Sequence, residues 1–142
     1  MADEKELAAR LRTVPLFAEL NDKQLKAVAS AGKVVEFPSG KEVTREGEAG
    51  VGFHLILSGA ADVSVGGSAR GTLGQGDYFG EISLIDGMPR SATVTITEPT
   101  MSFSIVSWDF SRLLDANPEM MKVLLIELCR RLRATEAATT QA

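Results

Sequence analysis

The chain has 142 residues, 44% of them hydrophobic and 24% charged, a length and composition typical of one globular domain. Its formal net charge of −4 argues against a nucleic-acid partner, because binding to a phosphate backbone depends on an excess of Lys and Arg. No apolar run reaches the roughly 18 residues of a membrane span, and no apolar leader follows Met1. We therefore expect a single domain over residues 1–142, in the cytoplasm and without a membrane partner.

Two helices are predicted at the start of the chain. Leu7 and Leu11 lie four residues apart in DEKELAARL, on one face of a short amphipathic helix with acidic residues in its first turn. Asn21 or Asp22 can cap a second helix, DKQLKAVASA, which Gly32 ends. We expect these helices to serve packing and not chemistry.

Short apolar stretches follow over about residues 33–107, separated by breaks such as PSG, EGEAG and VGGSARG. This spacing predicts β-strands joined by tight turns. The SGA triplet, Ser58–Ala60, is expected to turn between two paired strands, and Pro99 after Glu98 is expected to separate SATVTIT from TMSFSIVS. His54, the only histidine, lies mid-strand, where we expect a solvent-facing or hydrogen-bonded structural role. No metal site is predicted, because zinc needs three or four ligands.

Two more helices are predicted towards the C-terminal end. Ser107 or Asp109 can cap WDFSRLLDAN, and Asn117, with Pro118 at the first helical position, begins EMMKVLLIELCRRLRATEAA. Cys129, the only cysteine, cannot form an internal disulfide, which favours a reducing compartment. We expect it to be buried as a small hydrophobic side chain.

The last helix carries more apolar residues than one packed face needs. One stripe is expected to pack on the strands. The surplus predicts contact with a second copy of the chain, as a homodimer, or with an unidentified effector protein. The stripe comprises Met121, Leu124, Leu125, Leu128 and Leu132, and the additional apolar residues are Met120, Val123 and Ile126.

The order of helices, strands and helices predicts an α+β fold. The 13 glycines favour a fold with many tight turns. We expect an antiparallel β-roll, a jelly-roll-like barrel, over about residues 33–107. It would be flanked by N-terminal helices over about residues 3–31 and C-terminal helices over about residues 108–138.

The stretch FGEISLIDGMPRSATV, residues 79–94, has the composition of an anion site. Gly80 allows the backbone to approach a ligand closely, and a helical turn over residues 82–86 would leave unpaired amides at its start. Arg90, fixed by Pro89, can bind a phosphate through two parallel hydrogen bonds. The serine that follows adds a neutral donor.

Glu81 is the second component of this candidate site. A carboxylate only accepts hydrogen bonds and repels a second anion, so it suits a hydroxyl group. Glu81 could instead cap its own turn or form a salt bridge to Arg90. A ligand with one phosphate and one sugar hydroxyl fits both ends of the stretch. A nucleoside triphosphate is disfavoured, because the chain lacks the GxxxxGKS/T loop.

This stretch resembles the phosphate-binding cassette of the cyclic nucleotide-binding domain family. The family pattern is FGE, small and apolar residues, a short variable gap, and then PR, a small residue, A and TV. VPLFAEL with DKQL is similar to the entry helices of the family, and FPSGKEVTREGEAGVGFHLILSGAADV is similar to its strand–turn–strand core. The resemblance extends from Leu11 to Arg133 and implies the β-roll of that family.

The resemblance also implies a role for each residue of the site. Glu81 would accept a hydrogen bond from the ribose 2′-hydroxyl beside Gly80, while Arg90 and Ser91 would bind the cyclic phosphate together with backbone amides. RRLRATE is similar to a helix of the catabolite activators in this family and implies that Thr135 lies near the purine. The complete predicted ligand site comprises Phe79, Gly80, Glu81, Ile82, Ser83, Arg90, Ser91 and Thr135.

The sequence therefore predicts a stand-alone cyclic nucleotide-binding module whose occupancy sets the position of the C-terminal helix. Cyclic AMP is favoured because a purine amino group could meet Thr135, and Ser91 leaves cyclic GMP possible. No enzymatic activity, metal or further cofactor is predicted, since His54 and Cys129 have no evident partners for chemistry. The polar residues after Thr135 leave no room for a DNA-binding helix-turn-helix. The alternative is a degenerate, non-binding domain that acts as a protein-interaction scaffold.

Overall fold

Helices lie at both ends of the chain and strands between them, as the sequence predicts. The computed structural model describes residues 3–48, 52–88 and 91–140. Its helices are α1 (Glu4–Leu11), a short 3-10 helix (Pro15–Phe17), α2 (Asp22–Ala31), α3 (Glu81–Asp86), α4 (Ser107–Ala116) and α5 (Pro118–Thr140). Its strands are β1 (Lys33–Phe37), β2 (Glu42–Thr44), β3 (Gly52–Val65), β4 (Ser68–Leu73), β5 (Tyr78–Phe79) and β6 (Thr93–Val106). The α+β class is confirmed.

The strands form one antiparallel sheet around β3 and β6, which pair with each other over most of their length. The strand order is β1-β6-β3-β4, with β2 also paired to β6 and β5 to β3. β6 pairs with β2 near its start and with β1 near its end. Among the described strands, β1 and β4 lie at the two ends of this order and do not pair with each other. The sheet is an antiparallel roll, as expected, but it does not close into the expected barrel.

The turns predicted at Ser58–Ala60 and at Pro99 are wrong, because these residues lie inside the two long strands β3 and β6. The register between the strands shifts repeatedly around Gly59, whose φ is +108°. Gly59 and Pro99 therefore mark a β-bulge, at which a strand bends and tolerates a residue without an N–H group. A Cβ atom at Gly59 would lie 2.3 Å from Thr100 Oγ1, so this bend requires glycine.

Local capping signals set the starts of the first two α-helices. The Asp3 carboxylate accepts a hydrogen bond from the Glu6 amide at 2.8 Å. Asn21, rather than Asp22, caps α2 through reciprocal hydrogen bonds with Gln24, the arrangement of a capping box.

The cap predicted for α4 is wrong. Val106 occupies the N-cap position without a side-chain hydrogen bond, and Ser107 is already the first helical residue. Because β6 runs directly into α4, no loop residue is available as a cap. Asp109 lies in the first turn, where its charge still suits the helix dipole. α5 begins at Pro118, as predicted.

The main hydrophobic core fills the space between the helices and the sheet. Phe17 packs edge-on against Phe53 of β3, with ring centroids 5.4 Å apart, and tilted against Phe110 of α4 at 6.1 Å. A second, smaller core lies further along the two long strands, and Phe79 packs against it. This predicted site residue is therefore supported by buried side chains. The buried members of the second core are Ala61, Val94 and Ile96.

Only the first part of α5 packs on the rest of the chain. Met120 and Leu124 are buried, whereas Leu125 and Leu132, predicted to share a stripe with Leu124, are 61% and 58% exposed. Cys129 is also exposed, contrary to the prediction, because it follows Leu124 by five residues and lies about 140° around the helix. Within the described ranges no helix, α5 included, is both long enough and apolar enough to cross a membrane.

Candidate functional site

The candidate cassette turns from a strand into a helix at Gly80. β5 ends at Phe79 and α3 begins at Glu81, one residue before the predicted turn over residues 82–86. Gly80 joins them with a φ of 88° and a ψ of 8°, a left-handed conformation that would strain a residue with a side chain. The turn places the first amides of α3, which lack partners within the helix, next to the end of β5.

α3, the end of β5 and the segment that leads into β6 surround a pocket of about 370 Å³. Six of the predicted site residues line this pocket, namely Phe79, Gly80, Glu81, Ile82, Ser83 and Ser91. The two described ends of the cassette, at Glu81 and at Ser91, therefore face one space. The remaining lining residues are Thr44, Asp86, Met88, Ala92 and Val94.

Two predicted site residues are not part of this described wall. Arg90 lies outside the described residues, so its contacts and the alternative salt bridge between Glu81 and Arg90 remain predictions. Thr135 is described but does not line the pocket. Its hydroxyl donates to the backbone carbonyl of Arg131 at 3.0 Å, within α5. In this conformation α5 contributes no residue to the described pocket lining.

The described wall of the pocket carries two carboxylates and neither Lys nor Arg. Glu81 is half-buried in the first turn of α3, where the helix dipole favours a negative charge. Asp86 ends the same helix, and its Oδ1 accepts a hydrogen bond from the Met88 amide at 2.9 Å. This wall suits hydroxyl donors. An anion would need a positive charge supplied from beyond these residues.

Tyr78 connects the charges of the pocket to α5. Burial raises the pKa of its phenol above the ordinary value of 10.0, and the negative charge of Glu81 raises the pKa further. The guanidinium of Arg131, on α5, acts in the opposite direction and lowers the pKa of Tyr78. The charge of Arg131 therefore reaches the phenol of Tyr78 in β5, the strand that leads into α3.

Phe79 is positioned by His54 of β3. The two rings stack with centroids 4.9 Å apart and planes inclined by 29°, and His54 Nδ1 is 2.7 Å from Ser104 Oγ. His54 is thus hydrogen-bonded, which is one of the two structural roles, solvent-facing or hydrogen-bonded, expected for it. In the part of the chain that the structure describes, no three His, Cys, Asp or Glu side chains form a group that could hold a metal ion.

The predicted site omits five residues that line the pocket, Thr44, Asp86, Met88, Ala92 and Val94. It also omits Tyr78, which is not among the described lining residues but whose pKa the charge of Glu81 raises. Tyr78 directly precedes the cassette, so its proximity to Glu81 could have been inferred. Thr44 is distant in sequence and reaches the pocket because β2 pairs with β6, with Thr44 opposite Val94. Its hydroxyl donates to the Ala92 carbonyl at 3.3 Å. No local signal in the sequence reports that pairing.

Comparison with known proteins links this site to one family. The family model for the cyclic nucleotide-binding domain matches residues 34–117. The chain is 40% identical over 95 residues to a cGMP-dependent protein kinase of Toxoplasma gondii, covering 67% of this chain and 10% of the kinase. It is 35% identical over 114 residues to a cAMP-dependent protein kinase regulatory subunit of Eremothecium gossypii, covering 80% of this chain and 25% of that subunit.

The fold has a similar counterpart among solved structures. The N-terminal domain of a transcriptional regulator from Streptomyces coelicolor A3(2) superposes with a TM-score of 0.85 at 28% sequence identity, covering 92% of this chain and 97% of that one. The chain thus spans a quarter or less of the two protein kinase relatives but nearly all of this N-terminal domain. With a family match over more than half of its length, the chain belongs to the cyclic nucleotide-binding domain family.

Proposed function

We propose that the chain binds a cyclic nucleotide in the pocket beside α3 and that occupancy sets the position of α5. The observation that carries this proposal is the assembly of six cassette residues around one pocket in a member of the cyclic nucleotide-binding domain family. The pocket offers the carboxylates of Glu81 and Asp86 as hydrogen-bond acceptors and the amides at the start of α3 as donors. A ligand with a hydroxyl and a single phosphate satisfies both.

Each part of the ligand has a proposed partner. Glu81, half-buried beside Gly80, accepts from the ribose 2′-hydroxyl. Ser91 and the first amides of α3 donate to the cyclic phosphate. Because the described wall carries the charges of Glu81 and Asp86 and no cation, Arg90 has to supply the positive charge that holds the phosphate.

Cyclic AMP is the favoured ligand and cyclic GMP the second candidate. Ser91 is compatible with guanine, and the two kinase relatives carry both names, cGMP-dependent in one and cAMP-dependent in the other. A contact between Thr135 and a purine amino group requires α5 to move, since Thr135 does not line the pocket in this conformation.

Movement of α5 is the proposed output. Residues 132–138 of α5 are exposed, so little packing opposes a change in their direction. A nucleotide that binds better when α5 covers the pocket would shift the helix towards that position. The exposed apolar residues Leu125, Ile126 and Leu132 then provide a surface for a homodimer or for an effector protein.

We propose a regulatory and not an enzymatic role for this chain, with the cyclic nucleotide as ligand and no further cofactor, metal, nucleic-acid or membrane partner. A cytoplasmic location fits the exposed thiol of Cys129, which a reducing compartment would keep free. The alternative, a scaffold that no longer binds nucleotide, predicts that Glu81 and Arg90 satisfy each other in the empty pocket.

Native mass spectrometry distinguishes the binding module from the scaffold. The purified protein is mixed in turn with cyclic AMP, cyclic GMP and 5′-AMP, the last being a control without the cyclic phosphate. We expect one cyclic nucleotide per chain and no retained 5′-AMP, and the same spectrum reports the number of subunits. A spectrum without either cyclic nucleotide would favour the scaffold.

A further inference from the structure

Glu127 places a carboxylate on the packed side of α5. It is the one charged side chain among the buried residues of the described chain, with 7% of its surface exposed. Burial of a carboxylate removes it from water and costs free energy unless cationic partners compensate. The position therefore holds a charge where an apolar residue would bind the helix more firmly.

Two arginines compensate the charge of Glu127. Arg130 Nη1 lies 2.6 Å from Glu127 Oε1, and Arg131 Nε lies 3.8 Å from Glu127 Oε2. Arg130 also reaches Glu19, with an Nη1–Oε1 distance of 4.0 Å. Since Glu19 lies between the 3-10 helix and α2, this cluster of Glu127, Arg130, Arg131 and Glu19 lies between α5 and the N-terminal part of the chain. The pair of Arg130 and Glu19 joins exposed side chains and adds little stability.

The cluster lies where the packed part of α5 ends. Leu124 is 3% exposed, and every residue from 132 to 138 is exposed. Arg131 is the member of the cluster whose charge lowers the pKa of Tyr78 in β5. The cluster therefore lies at the junction between the packed part and the exposed part of α5.

We propose that Glu127 is a positioning residue that keeps α5 only weakly docked, so that ligand binding can displace the helix. This inference rests on the proposed nucleotide binding and on the proposed movement of α5. The electrostatic attraction within a buried ion pair barely exceeds the free energy that its two charges lose on leaving water. An apolar side chain of similar volume is often more stable in the same place. On undocking, Glu127 recovers its hydration, which offsets part of the packing lost at Leu124. In the docked position α5 leaves the pocket uncovered, so tighter docking opposes closure over the ligand.

Two substitutions with opposite effects test this role. Glu127→Met removes the charge and keeps the volume, so α5 should dock more tightly. We expect slower amide hydrogen exchange over residues 122–131 without ligand and cyclic AMP binding weakened about fivefold or more. Arg130→Ala leaves the buried carboxylate with one partner fewer, so we expect faster exchange and tighter binding. Arg133→Ala, an exposed arginine on the same helix, is the matched control and should change neither quantity.

The two measurements separate this inference from the proposed function. Wild-type protein that binds no cyclic nucleotide overturns both, and the titration of the wild type alone shows it. If the wild type binds and the exchange rates change without a change in affinity, Glu127 is merely a structural anchor and the inference is wrong. Two results together support the inference. Glu127→Met binds more weakly and exchanges more slowly than the wild type, and Arg130→Ala binds more tightly and exchanges faster.

Discussion

The imidazole of His54 stacks on the ring of Phe79 at a centroid distance of 4.9 Å, which links the start of β3 to the wall of the pocket. Nδ1 of the same imidazole lies 2.7 Å from Oγ of Ser104 in β6. The ring of Phe79, which lines the pocket, is thus positioned by residues of β3 and β6, the two long strands of the sheet. The orientation of Phe79 depends on residues that do not themselves line the pocket beside α3.

Replacement of His54 tests this support. His54→Ala removes the stack and a hydrogen bond, and we expect the free energy of unfolding to fall by about 1–3 kcal/mol and nucleotide binding to weaken. His54→Phe keeps an aromatic ring but loses the hydrogen bond. We expect it to bind nucleotide nearly as the wild type does, while its free energy of unfolding is still reduced. Denaturant unfolding and calorimetric titration measure the two effects. If His54→Ala changes neither quantity, the stack does not position Phe79.

The proposed contact of Glu81 with the ribose can be tested from both sides. Glu81→Ala should weaken binding of cyclic AMP by about 1.5–3 kcal/mol, the range for a hydrogen bond to a charged group. The same substitution should have little effect on 2′-deoxy cyclic AMP, which lacks the hydroxyl. Calorimetric titration of both proteins with both ligands gives the coupling energy directly. An equal loss of affinity for the two ligands would show that Glu81 does not bind the 2′-hydroxyl.

The bulge at Gly59 predicts that one added methyl group at this position destabilises the fold. A Cβ atom there would lie 2.3 Å from Thr100 Oγ1 and 2.7 Å from the Pro99 carbonyl oxygen, and the φ of +108° disfavours any side chain. We expect Gly59→Ala to reduce the free energy of unfolding by about 2 kcal/mol or more. Gly74→Ala is the control, since a Cβ atom at Gly74 meets nothing within 4 Å. Equal stability of the two variants would contradict the bulge.

Tyr78 predicts a loss of stability at alkaline pH. Burial first, and then the charge of Glu81, raise the pKa of the folded phenol above 10.0. Below about pH 10 the phenol is protonated in the folded and the unfolded chain alike, so the free energy of unfolding does not change with pH on its account. Above that pH the unfolded chain releases the proton first, so stability falls as pH rises through the folded pKa.

The measurement is simple because Tyr78 is the only tyrosine of the chain. Ultraviolet absorbance then reports the ionisation of Tyr78 alone, and unfolding curves of the wild type and Tyr78→Phe show the linked effect. We expect the variant to lose less stability at alkaline pH. A phenolate that forms at its ordinary pKa would show that the side chain is more hydrated than the structure indicates.

The sequence predicts well what depends on neighbouring residues. The cap at Asn21 and the helix start at Pro118 are local, because each depends on a side chain or ring within one helical turn of the helix it begins. The bend at Gly59 is different. A glycine that ends a strand and a glycine that bends one look alike in sequence, and only the pairing of β3 with β6 decides between them.

The same distinction applies to the site. The cassette residues from Phe79 to Ser83 are contiguous and adopt one strand-to-helix turn, so their proximity follows from the sequence. Thr44 enters the pocket only through strand pairing. The burial of Glu127 and the exposure of Cys129 depend on how α5 is rotated against its neighbours, which an apolar surface on several sides of the helix does not specify.

The central claim, that the cassette holds a cyclic phosphate, is tested most directly by calorimetric titration of the wild type and Arg90→Ala with cyclic AMP. We expect micromolar or tighter binding by the wild type and a loss of more than about 2 kcal/mol in the variant, because the described wall of the pocket offers no other cation. Arg70→Ala, an exposed arginine of β4, is the control and should bind as the wild type does. The absence of binding by the wild type at micromolar concentrations, or equal affinity of wild type and Arg90→Ala, would contradict the claim.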